Sequence, residues 1–284
     1  MWDTEHNGFG APERQALEKG PLMATGVMGP SRASVTTKTL RRDRWWLPPL
    51  TTFVVFTAFV IYATWRAFSG SNYYSAPDLS PLYSPCLTSD CVAGSSDFGQ
   101  PFSWWQLSPA LIVLIFPLGF RMTCYYYRKA YYRAFWLSPP ACAVAEPHGG
   151  YTGETRLPLI LQNIHRYFWY AAMVVSAVLT YDTVLAFRDE NDDWGHVGLG
   201  TLIMVANIVL IWLYTLSCHS CRHAVGGRLR HFSKHPIRYR LWTTVSKLNA
   251  KHAQFAWLSL FSVAFADLYV YLLASGQFSD PRFF

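Results

Sequence analysis

Five stretches of the chain run almost free of charge for about 15–20 residues each, and ~20 mostly apolar residues cross the hydrocarbon core of a bilayer. The pattern predicts helices over about 48–68 (with TFVVFTAFVIYATW), 104–126 (with PALIVLIFPLGF), 158–187, 197–221 and 249–275. Each is long enough to span at a rise of ~1.5 Å per residue. Pro109 and Pro117 fall inside the second, where neighbouring helices can satisfy the backbone groups that a proline frees. The expected fold is therefore all-α, an integral membrane bundle of five transmembrane helices over 46–284. A polar arm, 1–45, precedes it and has no apolar run resembling a cleaved signal peptide. The arm reads either as a disordered tail or as a segment that orders on a cytoplasmic partner.

Charge adds the topology. Only 14% of the 284 residues are charged, against about 25% in soluble domains, and the net charge of +7 is unevenly placed. Arg41, Arg42 and Arg44 precede the first span. Arg121, Arg128, Lys129, Arg133 and Arg156 lie between the second and third, and the segment from Arg222 to Lys251 lies between the fourth and fifth. The opposite loops hold Arg66, Arg188 and Arg282 among acids such as Asp78, Asp189, Asp193 and Asp280. The positive-inside rule puts the amino terminus in the cytoplasm and the carboxyl terminus outside. No nucleic-acid-binding motif is visible, so nucleic acid is not an expected partner. The outer loop carries Cys86 and Cys91 in SPCLTSDC, where an oxidising compartment favours a local structural disulfide.

A short repeat carries the candidate chemistry. The second helix ends in Cys124-Tyr-Tyr-Tyr-Arg128-Lys129-Ala130 and the fourth in Cys218-His-Ser-Cys-Arg222-His223-Ala224, both C-x-x-x-R-[KH]-A. A hydroxyl residue, Thr123 or Ser217, precedes each cysteine. The helices that follow open with Asn163-Ile-His165 and Asn249-Ala-Lys-His252. Helices two and three thus look like a duplicate of four and five. The repeat places Cys124, His165, Cys218 and His252 at one membrane depth, one from each of four helices, as bundle cofactor sites are commonly built. A lone histidine at a helix start is usually interfacial, and a lone membrane cysteine is usually packing. Two of each, related by a repeat, favour a bound cofactor. Cys221 is a rival ligand but has no counterpart in the first half, where Tyr127 stands. Cys142 reads as structural or free.

Two cysteines and two histidines suit three groups. A structural Zn²⁺ takes four such ligands tetrahedrally. A b-type haem would use the two histidines and leave the cysteines unexplained. A Rieske-type [2Fe–2S] cluster takes two thiolates and two imidazoles. Two ferric ions, two sulfides and two thiolates sum to zero charge, which suits a site near lipid better than a four-thiolate cluster. Arg128 and Arg222, one turn beyond the cysteines, are expected to offset an added electron.

The segments RRDRWWLPPLTTFVVFTAFVIYATWRAF, MTCYYYRKAYYRAFWLSPPACAVAEPH, YTGETRLPLILQNIHRYFWYAA and LYTLSCHSCRHAVGGRLRHFSKHP resemble the membrane-anchor subunit of actinobacterial succinate dehydrogenase, in the class whose anchor carries a Rieske-type cluster. The resemblance covers nearly all of 38–284. It implies a respiratory complex in the bacterial plasma membrane. A flavoprotein subunit there oxidises succinate, an iron–sulfur subunit relays electrons, and the anchor reduces a quinone, with menaquinone expected. The chain holds no flavin- or succinate-binding sequence, so it is expected to serve as a subunit of the enzyme. Quinone carbonyls need hydrogen-bond donors beside an aromatic wall, and Tyr126, Arg128, Trp169 and Tyr214 are the candidates nearest the proposed cluster. Asp182 and Asp267, in the outer halves of two helices, are read either as proton groups for quinone chemistry or as interfacial residues.

Overall fold

Proline and glycine bracket the first helix. In a computed structural model describing residues 41–87, 96–105, 107–147, 157, 159–189, 191, 193–227 and 229–284, α1 runs Leu47–Ser69 with proline in its first turn, where a missing N–H costs nothing. It stops at Gly70, whose left-handed φ of 59° suits a residue without a Cβ. Phe53, Val54, Val60, Ile61, Trp65 and Phe68 of α1 are exposed, as a lipid-facing helix requires. Residues 1–40 and Cys91 lie outside the described residues.

The second apolar segment is not the single helix expected over 104–126. It is split into α2 (Ala110–Val113), α3 (Ile115–Met122) and α4 (Tyr125–Ala134). Pro117 has no N–H to give the carbonyl four residues back, so the helical ladder breaks just beyond Val113. At Cys124 the chain turns again, and α2–α3 and α4 meet at 76°. The fourth segment breaks in the same way. It is α6 (Leu199–Leu216), an extended Cys218, and α7 (His219–Gly226), where a continuous helix to 221 was expected. A helix that the apolar pattern does not signal, α8 (Pro236–Asn249), follows. The third and fifth segments begin later than their apolar limits. A 3₁₀ turn, Leu159–Ile164, leads into α5 (His165–Leu185), and α9 is His252–Ala274. Four helices are long and apolar enough to cross a membrane among the described residues, or five spans if the bent pair counts as one.

Packing fixes these helices by close approach and by buried polar ties. A Cβ on Gly119 would meet the Phe168 ring at 2.2 Å, so glycine lets α3 close on α5. Met204, Ala266 and Val270 pack α6 on α9, and Ser262 donates to Asn207 Oδ1 at 2.9 Å between the same helices. At the end of the bundle opposite the two cysteine breaks lies a short antiparallel hairpin, β1 (Tyr74–Ser75) and β2 (Asp78–Leu79), which helix periodicity did not reveal. Arg66 of α1 and Asp267 of α9 are both fully buried and form a bidentate pair, Nε–Oδ2 2.8 Å and Nη2–Oδ1 3.1 Å. Ser80 and Tyr62 each donate to the same carboxylate at 2.5 Å. Asp182 of α5 accepts from the Ser96 N–H at 2.9 Å and hydroxyl at 2.8 Å, and from Ser84. Both acids thus anchor the loop after α1 to the bundle. Cys86 of that loop is disulfide-bonded; the expected partner, Cys91, lies outside the described residues.

Candidate metal centre

Cys124 and Cys218 stand where a span gives way to the next helix. Both are extended, at φ −70°, ψ 132° and φ −62°, ψ 145°, and each occupies the position just before the first turn of α4 or α7. Both side chains are buried. Opposite them, His165 and His252 open α5 and α9.

The hydroxyl before each cysteine sets the state of one imidazole. Thr123 Oγ1 lies 2.8 Å from His165 Nδ1, and Ser217 Oγ lies 2.6 Å from His252 Nδ1. Each hydroxyl has one proton, and each spends it on a carbonyl of its own helix: Thr123 on Gly119 at 2.7 Å, Ser217 on Tyr214 at 3.0 Å. The hydroxyl oxygens therefore accept, and Nδ1–H donates. This assignment leaves a bare lone pair on both Nε2 atoms, the form in which histidine binds a metal. Aromatic rings hold the imidazoles from the side. His165 stacks on Phe120 with centroids 4.9 Å apart and planes 6° apart. His252 stacks on Tyr214 at 5.0 Å and 15°.

Each lone pair faces a thiol of the other half of the sequence pattern. His165 Nε2 is 3.2 Å from Cys218 Sγ, and His252 Nε2 is 3.7 Å from Cys124 Sγ. Metal–sulfur and metal–nitrogen bonds of about 2.3 and 2.0–2.1 Å at a tetrahedral angle would set S and N roughly 3.6 Å apart. Both separations are equally those of a thiol–imidazole hydrogen bond. Among the described residues no group of three His, Cys, Asp or Glu side chains is placed to hold a single ion. The four side chains come as two pairs, not one tetrad. They line a cavity of about 470 Å³ together with Tyr126, Arg128, Asn163 and His219.

This arrangement resembles no ordinary surface histidine site, and comparison with known proteins places the whole chain. A model of the actinobacterial succinate dehydrogenase subunit SdhC matches residues 47–276. The chain belongs to that family. It is also similar to a solved chain of the Mycobacterium smegmatis Sdh1 complex in the apo form, with 57% identity over 92% of this chain and 100% of that one and a TM-score of 0.80. No curated protein matches. The chain is thus a multi-pass plasma-membrane subunit of the succinate dehydrogenase complex.

Within this SdhC-family subunit the other sequence candidates separate. Tyr126 and Arg128 line the cavity of the thiol–imidazole pairs. Trp169 is buried, and its indole N–H is committed to the Thr215 carbonyl at 3.0 Å. Tyr214 sits on the other side of His252 and lines a different, apolar cavity. The four residues expected to bind quinone therefore do not all line one cavity. Cys221 is buried in the hydrophobic core and does not line the thiol–imidazole cavity. Arg222 lies over the Trp242 ring at 4.8 Å, so only Arg128 of the two arginines borders that cavity. The signal for Thr123 and Ser217 was in the sequence as matching polarity before each cysteine. What the sequence could not give was which imidazole each hydroxyl holds.

Proposed function

We propose that the chain is the membrane-anchor and quinone-reducing subunit of a respiratory succinate:menaquinone oxidoreductase. Its five spans, α2–α3 with α4 counted as one, have the amino terminus in the cytoplasm and the carboxyl terminus outside. The distribution of Lys and Arg supports that orientation, and similarity to a chain of the Sdh1 complex supports assembly with a flavoprotein and an iron–sulfur subunit on the arginine-rich face. Succinate loses two electrons and two protons to become fumarate. Quinone takes up the same number to become quinol.

Cys124, His165, Cys218 and His252 would hold a [2Fe–2S] cluster of Rieske composition, which when bound supplies a one-electron relay between the iron–sulfur subunit and quinone. The observation that carries this reading is the pair of tautomer-fixed imidazoles, each with its lone pair on a thiol. A single structural zinc is disfavoured because the donors stand in pairs. A b-type haem is disfavoured because each Nε2 is turned to a cysteine and not toward a shared iron between the imidazoles.

Low-temperature EPR of the dithionite-reduced complex tests the reading. A reduced two-iron signal with low average g is expected, lost in His165→Ala combined with His252→Ala. That double variant should abolish quinone reduction and keep succinate oxidation by a soluble artificial acceptor. A Soret band, or stoichiometric zinc with a silent EPR spectrum, overturns the proposal.

A further inference from the structure

The sequence repeat extends on both sides of each cysteine. Four residues before Cys124 stands Phe120, and four before Cys218 stands Tyr214. Both rings are buried and lie nearly parallel to an imidazole, Phe120 to His165 and Tyr214 to His252. Two residues after Cys124 stands Tyr126, and two after Cys218 stands Ser220. The two halves differ at these positions, and the difference lies in which side chains bring a hydroxyl to sulfur.

Both sulfurs stand just ahead of a helix, so both face its first free N–H groups. Cys124 accepts from the backbone of Tyr126 and Tyr127. Cys218 accepts from the backbone of Ser220, at 3.4 Å, and of Cys221. Each sulfur also accepts a hydroxyl. For Cys218 this is the local Ser220. For Cys124 the matching position is Tyr126, whose ring faces His252 with centroids 5.3 Å apart. Its hydroxyl comes instead from Tyr214 of the other half. Phe120 has no hydroxyl to return. Both O–H donors thus belong to the second half, and the exchange leaves the two sulfurs with the same set of donors.

Matched donors bear on charge. An electron added in the thiol–imidazole cavity places part of its charge on the sulfurs. A hydrogen bond strengthens as its acceptor becomes more negative, so each hydroxyl favours the reduced form over the oxidised one. Ser220 and Tyr214 are both buried, where low polarity enlarges that difference. The Arg121 guanidinium lies 4.9 Å from the Tyr214 ring centroid, and a cation over the ring makes its phenol a stronger donor. Hydrogen bonds to sulfur are among the features that set the potential of an iron–sulfur centre.

We infer that Tyr214 and Ser220 are positioning residues that raise the electron affinity of the centre, each by donating its hydroxyl to one ligand sulfur. The assignment rests on the cluster reading above.

The test is a potentiometric titration of the two-iron EPR signal in the whole purified complex. Tyr214→Phe removes the hydroxyl and keeps the ring on His252; Ser220→Ala removes the other hydroxyl. Each is expected to move the midpoint to lower potential, and the double variant further than either. Replacing Tyr214 with 3-fluorotyrosine, a stronger donor of the same shape, should move it upward, which a purely structural role would not do. An unchanged midpoint in either single variant, or a fluorotyrosine shift in the same direction as Tyr214→Phe, overturns the assignment. A second measurement needs no cluster. The complex is stripped of iron and loaded with Co²⁺, and the sulfur-to-cobalt absorption band is recorded. Losing a donor to sulfur should move that band to lower energy in both single variants. An EPR-silent complex with the shifted band supports the two hydroxyls and sinks only the cluster. A normal EPR signal with unmoved midpoints sinks the hydroxyls and leaves the cluster. A wild type with neither signal overturns both.

Discussion

Thr123 and Ser217 each do two jobs with one hydroxyl. The proton goes to the helix behind, and the lone pair goes to an imidazole Nδ1. Their loss should loosen the ligands without removing them. Thr123→Ala with Ser217→Ala is expected to lower metal affinity by about 10–100-fold, the usual cost of a lost outer-shell partner. Iron content per complex after challenge with a chelator, compared with wild type, reads this directly, and unchanged retention would refute the role. The sequence repeat already aligns the four side chains that form the two thiol–imidazole pairs. The crossing was not legible in it: each cysteine meets the histidine held by the other cysteine's neighbour, and only three-dimensional packing decides that. The same holds for Trp169. Its type suits a quinone wall, but its N–H is spent on Thr215, and no sequence feature announces a donor already in use.

Among the helices, apolar runs located the candidate spans, placed the limits of the first within a residue, and misjudged where the second and fourth break. Hydropathy is indifferent to a missing N–H, so Pro117 broke a segment that reads as continuous. It is equally blind to an extended residue, so Cys124 and Cys218 turned two predicted helix ends into corners. The hairpin was missed because two-residue strands are too short to show alternation. α1 has few neighbours to hold it, and its strongest tie is the buried Arg66–Asp267 pair. Removing one member leaves the other charge stranded, at a cost of about 3–5 kcal/mol. Asp267→Asn is therefore expected to lower the thermal midpoint of the detergent-solubilised complex markedly. Replacing both, Arg66→Met with Asp267→Leu, should recover much of the loss. A single variant as stable as wild type would show that the pair does not hold α1.

Across the whole molecule, the end farthest from the thiols is closed by the carboxyl-terminal tail. The Leu199 N–H donates to the Pro281 carbonyl at 3.0 Å and the Phe283 N–H to the Val197 carbonyl at 2.8 Å. Asp280 accepts from the N–H of Gly200, at the start of α6, at 2.9 Å, and from the hydroxyl of Tyr269 of α9. Asp78 of β2 is buried close by, and burial first, then the charge of Asp280, raises its pKa to about 7. The folded state thus holds a proton on Asp78 that the unfolded chain, near pH 4, has already released. Stability from this group is fully present below about pH 4, declines as pH rises to about 7, and is level above that. Melting curves between pH 5 and 8 should show this decline in the wild type and a flatter profile in Asp78→Asn. Parallel profiles would exclude Asp78 as its source.

The corners at Cys124 and Cys218 have a consequence for assembly. A sulfur placed at the joint between a membrane rod and the helix beyond it cannot keep its position if that helix swings. Any subunit that clamps α4 and α7 also steadies both sulfurs. If the proposed cluster is held there, docking of the neighbour and its retention become a single thermodynamic event, and this chain made without its companions should retain iron poorly.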